Sequence, residues 1–285
     1  MRLFAAPTVT ADAKLAALEA GLRRFSSLLV AYSGGVDSAY LAYEAHRILG
    51  ERALAVIADS PSLARHQLAD AVAFAAEMAM PLRVIATSEL SNPDYARNGA
   101  DRCFFCKDEL FTVMEQIRGH EGFDAVAYGM NTDDRGDFRP GQRAAREHNV
   151  VAPLAEAGLS KADVRELAHR AGLRLWEKPA SACLSSRIAY GLPVTPENLA
   201  MVERAEDALR VLGFRVFRVR HHGDIARVEI ARQEMERVVS GDLASRIAAE
   251  LKALGFKFVA LDLEGFRSGS MNSVLPLSEL RNPVP

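Results

Sequence analysis

Residues 29–42, LVAYSGGVDSAYLA, place an apolar run, a small polar loop and a helical pattern directly after one another. The run Leu28–Ala31 is short and partly β-branched, which is typical of a buried parallel strand. Val36, Tyr40 and Leu41 follow at helical spacing, so the loop joins the carboxyl end of a strand to the start of a helix. The first amides of a helix lack intrahelical partners and lie at the positive end of its dipole. We therefore predict that this loop binds phosphate.

The loop offers five candidate nucleotide ligands, which are Ser33, Gly34, Gly35, Asp37 and Ser38. The glycines allow backbone amides to turn toward a phosphate, and the hydroxyl groups add further donors. A carboxylate beside phosphates requires a cation between them, so Asp37 predicts a Mg²⁺ ion. The loop lacks the lysine of the Walker motif and the spacing of the dinucleotide fingerprint. An ordinary glycine-containing turn is the alternative interpretation.

The composition is that of a globular protein, with 285 residues, 49% apolar residues and a net charge of −2. The length accommodates one large domain or two modest ones, and the near-neutral charge provides no overall field for nucleic acid or an anionic membrane. No apolar run approaches the roughly 18 residues of a membrane helix, and the first residues lack a signal-peptide pattern. We expect a cytoplasmic protein without membrane or nucleic-acid partners.

Strand and helix patterns alternate along most of the chain. Predicted strands after the first lie at 53–58, 82–86 and 125–128, and predicted helices lie at 12–25, 63–80, 106–117 and 160–171. This alternation predicts a parallel sheet covered by helices, with ligands bound beyond the carboxyl ends of its strands. After about residue 190, the predicted elements are a helix at 199–212, a hairpin of RVFRVR and IARVEI, a helix at 232–254 and a strand at 257–263. We predict an α/β fold in which a parallel-sheet domain, residues 1–187, precedes a smaller α+β domain, residues 188–285.

Polar residues follow two other predicted strands. Asp59 and Ser60 come after the strand at 53–58, and Gly129 and Asn131 come after the strand at 125–128. Because the carboxyl ends of parallel strands share one edge of the sheet, these residues are further nucleotide-binding candidates. For the second group, an Asx-rich surface turn is the alternative.

The three cysteines are too few for a secreted disulfide framework. Cys103 and Cys106 form a C-x-x-C motif, and Cys183 lies far away in the chain. Three thiolates could hold an iron–sulfur cluster with one iron left open. Zinc would need a fourth ligand, and no histidine has motif spacing among His120, His148, His169, His221 and His222. A redox dithiol and structural cysteines are the other interpretations.

Strand alternation in RVFRVR places Arg218 and Arg220 on one face, which favours binding of an anion. Arg187 and Arg267 could converge with them through bidentate contacts that lysine does not make. Glu206, on the preceding helix, could orient one of these arginines. Each arginine taken alone is more often a solvated surface residue.

With SGGVDS, RCFFCK, YGMNTDD, KPASACLSSR, RVFRVR and DLEGFRSGSMN in this order, residues 12–275 resemble the LarE family of PP-loop sulfur transferases. The resemblance implies ATP-dependent adenylation of the carboxylates of pyridinium-3,5-biscarboxylic acid mononucleotide, with release of pyrophosphate. Sulfur then displaces AMP, giving thiocarboxylates for the nickel-pincer nucleotide cofactor. The resemblance also implies a homo-oligomer and a substrate-phosphate region, made of Ser186, Arg187, Glu206, Arg218, Arg220 and Arg267.

The family has two ways of supplying sulfur. One branch sacrifices its own cysteine, and that position corresponds here to Ala182 rather than to Cys183. Cys103, Cys106 and Cys183 resemble the other branch, in which three cysteines hold a [4Fe–4S] cluster whose open iron takes sulfide from a donor. The resemblance thus implies ATP, Mg²⁺ and a [4Fe–4S] cluster as cofactors and repeated turnover.

Two other functions are compatible with parts of the pattern. PP-loop enzymes that thiolate tRNA also carry three cysteines, but the near-neutral charge and the lack of a long basic arm argue against a long RNA partner. A non-catalytic nucleotide-binding regulatory module is the third interpretation, and it leaves the three cysteines without a role.

Overall fold

The computed structural model describes residues 10–135, 140–179, 182–267 and 269–275. Contacts group the described residues into two compact units, the first from 10–59, 65–87, 107–135 and 140–179 and the second from 60–64, 88–106, 182–267 and 269–275. The C-x-x-C segment therefore packs with the C-terminal part of the chain. The division at residue 187 stays a prediction of domain organisation.

Helices and strands alternate through the first unit and reappear in the second. The α-helices are α1 (Ala11–Leu22), α2 (Val36–Leu49), α3 (Arg65–Glu77), α4 (Pro93–Ala96), α5 (Arg102–Glu121), α6 (Pro140–Glu147), α7 (Pro153–Glu156), α8 (Lys161–Arg170), α9 (Pro196–Val211), α10 (Arg232–Val239) and α11 (Leu243–Ala253). The strands are β1 (Leu28–Ala31), β2 (Ala53–Asp59), β3 (Leu82–Ala86), β4 (Ala125–Tyr128), β5 (Phe217–His222), β6 (Ile225–Ile230) and β7 (Phe258–Leu261).

The first unit is built on a parallel sheet with the strand order β3-β2-β1-β4, which confirms the predicted fold class. Leu28, Leu29 and Val30 of the central strand β1 are almost completely buried, as expected for a strand with neighbours on both sides. The chain crosses to β2 on one side of β1 and to β4 on the other. The loops after β1 and β4 therefore flank the point where the strand order reverses, which is where open α/β sheets bind ligands.

The second unit contains the mixed sheet β5-β6-β7, in which β5 and β6 are antiparallel and β6 and β7 are parallel. The predicted hairpin is thus confirmed. Phe217 and Val219 of β5 face a core shared with Leu209 of α9 and Leu251 of α11. A separate apolar cluster in the same unit packs Cys106 and Phe105 against a group of buried residues, which includes Tyr95, Leu184, Ile188, Leu199 and Val202.

Three predicted boundaries are wrong for local reasons. The helix predicted at 232–254 is divided between α10 and α11, because Gly241 adopts a φ of +68° and the Ser240 hydroxyl donates to the Glu236 carbonyl oxygen. Strand β5 begins at Phe217 rather than at Arg215, since the amides of Arg215 and Val216 donate to the Glu234 carboxylate. Helix α5 begins at residue 102 rather than 106, which places the C-x-x-C motif in its first two turns.

Candidate functional site

Side chains and backbone of the loop after β1 form a closed hydrogen-bond network. The hydroxyls of Ser33 and Ser38 lie 3.0 Å apart, and the Ser33 amide donates to Ser38 Oγ at 3.1 Å. The Ser38 hydroxyl in turn lies within hydrogen-bond distance, 3.1 Å, of the Gly35 carbonyl oxygen. Helix α2 begins at the next residue, Val36, with Gly35 as its N-cap residue. The loop thus has the fixed strand-turn-helix geometry that suits a phosphate.

Gly34 is required at its position for two reasons. Its φ of +70° lies in the left-handed region, where residues with a Cβ atom are strained. A Cβ at this position would also lie 2.7 Å from the Cβ of Ala71 on α3. The loop therefore packs tightly against a helix, and only glycine fits there without movement.

The loop after β4, which contains Gly129 and Asn131, contacts the start of α2, and contact of these two residues with a nucleotide stays a prediction. A Cβ on Gly129 would lie 2.6 Å from the Ser38 amide nitrogen, so the two backbones approach as closely as atoms allow. Asn131 caps the following short turn, and its Nδ2 donates to Asp37 Oδ1 at 3.3 Å. The structure brings Ser33, Gly34, Gly35, Asp37, Ser38, Gly129 and Asn131 together at this edge of the first unit.

Asp37 is engaged through both carboxylate oxygens. Oδ1 accepts from Asn131, and Oδ2 forms an ion pair with the ammonium of Lys161, the first residue of α8. The side chains of Asp37 and Lys161 are 20% and 32% exposed, so the pair is partly shielded from solvent. Carboxylate and amide oxygens are the ligands that Mg²⁺ prefers, and Asp37 and Asn131 fit that ion in donor type.

The two candidates after β2 are placed differently from each other. Asp59 ends β2 beside β1 and forms an ion pair with Arg65, and both side chains are close to half exposed. Ser60 belongs to the second unit, where its buried hydroxyl donates to Glu89 and accepts from the Ser62 amide at 2.9 Å. Contact of Asp59 and Ser60 with a nucleotide stays a prediction.

The three cysteines lie in the second unit. Cys103 is exposed and Cys106 partly buried on α5, and the partly buried Cys183 precedes a short 3₁₀ turn, Leu184–Arg187. Cys183 Sγ lies 3.0 Å from the Ser185 hydroxyl. Two nearby residues interact electrostatically both with Cys183 and with a cysteine of the C-x-x-C motif. Arg102 interacts with Cys103, and Tyr95 interacts with Cys106.

Arg102 ties the C-x-x-C helix to the Cys183 turn. Its guanidinium is 4% exposed and donates to the Asn98 side chain and, at 3.0 Å, to the Ser185 carbonyl oxygen. Burial opposes its charge, but the charges of Cys183 and Cys103 outweigh burial, so the pKa of Arg102 is raised. Sequence reasoning missed this residue, although it directly precedes the motif.

Arg102 also affects Cys183. Burial alone would raise the pKa of the Cys183 thiol, but the positive charge of Arg102 and hydrogen bonds from Ser185 and the Ser186 amide lower it below its ordinary value. Tyr95 is buried, and its phenol oxygen lies 2.5 Å from the Ser62 hydroxyl oxygen. Burial and the nearby charges of Cys183 and Cys106 raise the pKa of Tyr95, so it stays a neutral phenol. The site therefore favours a thiolate at Cys183.

Within the described parts of the chain, no three His, Cys, Asp or Glu side chains form a group that could hold a metal ion. His148, one of the possible zinc ligands, instead contacts Asp108 and Glu115, and His221 accepts from the Gly223 amide. The three cysteine thiols are nevertheless soft donors, and they lie in one unit near the buried guanidinium of Arg102. This donor chemistry fits an iron–sulfur cluster. The ligands of such a cluster lie further apart than the ligands of a single metal ion.

Buried ion pairs in the second unit contain three of the substrate-phosphate candidates, Arg187, Glu206 and Arg220. Arg187 and Glu206 make two contacts, at 3.0 Å and 3.3 Å, and their side chains are 1% and 5% exposed. Glu206 also accepts from the Val219 amide at 3.2 Å, and Arg187 donates to the Cys183 carbonyl oxygen at 2.9 Å. The Arg187–Glu206 pair therefore links α9, β5 and the Cys183 turn. This arrangement is compatible with the predicted role of Glu206 in orienting an arginine.

Arg220 forms a second buried network. It pairs with Glu229 at 2.7 Å and donates to Ser270 Oγ at 3.0 Å and to the Ser186 carbonyl oxygen at 3.2 Å. Glu229 is fully buried and also contacts Arg227 at 3.3 Å. Neither Glu229 nor Ser270 is part of the sequence prediction, because their partners lie on other strands and segments.

Arg218 and Arg267 differ in their surroundings. Burial, followed by the positive charges of Arg187 and Arg220, lowers the pKa of Arg218 to about 10, although the charges of Glu206 and Glu229 oppose this shift. Arg218 stacks on the Phe266 ring, with 5.0 Å to the centroid. Arg267 is half exposed and pairs with Glu264, so its convergence on a phosphate stays a prediction.

The fold and the loop define the class of protein: the first unit is a PP-loop nucleotide-binding α/β domain, and residues 18–95 match the NAD synthase family. Over 273 residues, the chain is 37% identical to the pyridinium-3,5-bisthiocarboxylic acid mononucleotide synthase of Lactiplantibacillus plantarum, covering 95% of this chain and 98% of that relative. The chain belongs to the LarE family of PP-loop proteins.

The chain is also similar to two uncharacterized proteins over most of its length. An uncharacterized protein of Synechocystis sp. is 40% identical over 264 residues, covering 93% of this chain and 98% of its own length. An uncharacterized protein of Methanocaldococcus jannaschii is 28% identical over 241 residues, covering 85% and 91%. No helix among the described residues combines the length and apolar character that crossing a membrane would take.

Proposed function

We propose that this protein is an ATP-dependent sulfur transferase that converts the carboxylates of pyridinium-3,5-biscarboxylic acid mononucleotide into thiocarboxylates. The observation that carries the proposal is the 37% identity, over 95% of the chain, to a relative named for the bisthiocarboxylic acid mononucleotide. The PP-loop geometry and the Cys183 surroundings support the two halves of the chemistry. A cytoplasmic location and a homo-oligomeric state complete the proposal.

The first half of the reaction is activation of a carboxylate. A carboxylate is a poor electrophile, and attack on the α-phosphorus of ATP converts its oxygen into part of a good leaving group. The amides and hydroxyls of the loop from Ser33 to Ser38 would stabilise the departing pyrophosphate, because the loop leads into the start of α2, where the helix dipole is positive. Asp37 and Asn131 would hold Mg²⁺, which neutralises charge on the phosphates.

The second half is sulfur transfer to the acyl adenylate. Cys103, Cys106 and Cys183 would hold a [4Fe–4S] cluster, which supplies a place for sulfide at its open iron. Arg102 contributes a buried positive charge beside these cysteines, which favours anionic sulfur there. Arg187, Arg218 and Arg220 supply the positive region for the substrate phosphate, and Glu206 orients Arg187.

The test is an anaerobic incubation of the protein with ATP, Mg²⁺, sulfide and the biscarboxylate mononucleotide, followed by mass spectrometry of the products. We expect thiocarboxylate, AMP and pyrophosphate. The variant Cys106→Ala should form no thiocarboxylate yet still transfer AMP to the mononucleotide and release pyrophosphate, because adenylation does not use the thiol. Loss of both steps in a folded variant, or pyrophosphate release that ignores the mononucleotide, contradicts the proposal.

A further inference from the structure

We propose that Lys161 is a placeholder cation, which neutralises Asp37 in the nucleotide-free protein and moves onto the phosphates when Mg²⁺ and ATP bind. This inference rests on the proposed ATP site and assigns to that site a residue that its sequence motif does not contain. It also predicts an order of binding, in which the metal enters together with the nucleotide.

Both carboxylate oxygens of Asp37 already have a partner in the protein. Lys161 Nζ pairs with Oδ2, and Asn131 Nδ2 donates to Oδ1 at 3.3 Å. A Mg²⁺ ion binds carboxylate oxygens at roughly 2.1 Å and tolerates little distortion. Direct coordination by Asp37 at Oδ2 therefore requires that the lysine ammonium leave this oxygen.

The side chain of Lys161 can move while its backbone stays fixed. Its amide donates to Asp133 Oδ2 at 3.0 Å, and the preceding Ser160 caps α8 together with Asp163. The ammonium, however, sits at the end of a flexible four-carbon chain, and the side chain is 32% exposed. The lysine ammonium can therefore move by a few ångströms while α8 stays folded.

The loop at residues 33–38 lacks a positive charge of its own to balance a bound polyanion. Residues 33–38 contain no lysine or arginine, and Asp37 adds a negative charge to a loop that is expected to hold a polyanion. Lys161 is placed beside this loop by its contact with Asp37, although the two residues are 124 positions apart. Once Mg²⁺ replaces it on Asp37, the ammonium has a new anionic partner in the phosphates.

Binding of the two ligands is then coupled. Mg²⁺ alone must break the ion pair and leave the ammonium without a partner, whereas Mg²⁺ with ATP supplies that partner. Because coupling free energies are reciprocal, ATP should increase the affinity for Mg²⁺ as much as Mg²⁺ increases the affinity for ATP. Removing the lysine charge should reduce this coupling from both directions.

Isothermal titration calorimetry on Lys161→Met tests the proposal, with titrations of Mg²⁺ alone and of ATP in excess Mg²⁺. We expect about tenfold tighter binding of Mg²⁺ alone and about tenfold weaker binding of ATP, the size of one ion pair. Lys161→Arg should restore part of the ATP affinity. Lys14→Met is the matched control, because Lys14 pairs at 2.6 Å with Asp163 of the same helix without contacting Asp37, and it should change neither affinity.

Two outcomes overturn the inference in distinguishable ways. If wild-type protein binds no ATP in excess Mg²⁺, the proposed function fails and this inference fails with it. If the wild type binds ATP but Lys161→Met changes both affinities in the same direction, or neither, Lys161 is only a structural partner of Asp37.

Discussion

Gly34 is a residue whose backbone conformation, rather than its chemistry, supports the nucleotide loop. Substitution by alanine would strain a φ of +70° and bring a Cβ within 2.7 Å of Ala71. We expect Gly34→Ala to lower the free energy of unfolding by about 1–3 kcal/mol, measured by urea denaturation. The neighbouring Gly35 has a φ of −78°, and a Cβ there would lie 3.4 Å from Ser33 Oγ.

Gly35→Ala is therefore the matched control. Its backbone lies in an ordinary region and its added methyl group makes a tight but adjustable contact, so we expect a much smaller loss of stability. Equal losses for the two variants would contradict the argument from backbone strain.

The clustering of the loop residues 33–38 at the start of α2 could be predicted from the sequence, because these residues are contiguous. Ser33, Gly34 and Ser38 form one short motif, whose geometry follows from the strand before it and the helix after it. Lys161 could not be predicted in this way, because its ion pair with Asp37 spans 124 residues. Long-range pairs of this kind depend on how α8 packs, which the local pattern does not specify.

Elements were predicted most accurately where burial determines them. Strands β1 and β4 agree with their predicted limits, because each is a short, buried apolar run bounded by turns, which leaves little choice of end point. The start of α5 was missed by four residues. Its first turn is stabilised by contacts of Arg102 with the Asn98 side chain, four residues earlier, and with the distant Ser185 carbonyl oxygen. Neither contact is a local capping signal.

The contact between α5 and the segment after α6 predicts a pH-dependent stability. His148 Nε2 lies 3.0 Å from Asp108 Oδ1 and Nδ1 lies 3.0 Å from Glu115 Oε2. Burial alone would lower the pKa of His148, but hydrogen bonds and charges of these carboxylates outweigh it and raise the pKa. The folded state therefore binds the histidine proton more tightly than the unfolded state does.

The sign of the effect follows from this difference. The stabilisation is complete below the unfolded pKa of about 6.5 and is lost as the pH rises through the higher folded pKa. We expect thermal unfolding of the wild type to lose stability between about pH 6 and about pH 8, by less than about 1 kcal/mol because both carboxylates are well exposed. His148→Asn should flatten this part of the profile.

His120→Asn removes an exposed histidine from α5, the helix that carries Asp108 and Glu115, and serves as the control. A wild-type profile that rises over this range, or equal flattening in both variants, would contradict the assignment to His148.

At the scale of the whole molecule, the two compact units carry the two halves of the proposed chemistry. The first contains the phosphate loop and the candidate Mg²⁺ ligands, and the second contains the three cysteines and the buried arginines. The predicted α/β fold is confirmed, and membership of the LarE family is shown by a relative that covers nearly the whole chain. The proposed mode of sulfur supply rests on Ala182 and Cys183, two adjacent residues that the fold alone does not distinguish.

The central claim is that this chain forms thiocarboxylates repeatedly with sulfur supplied from outside the protein. The most direct measurement is the molar ratio of thiocarboxylate to protein chains after anaerobic incubation with ATP, Mg²⁺, the biscarboxylate mononucleotide and isotopically heavy sulfide. We predict several equivalents of product per chain, all carrying heavy sulfur, with the three cysteines intact. At most one equivalent per chain, carrying light sulfur and accompanied by conversion of a cysteine to dehydroalanine, would contradict the account.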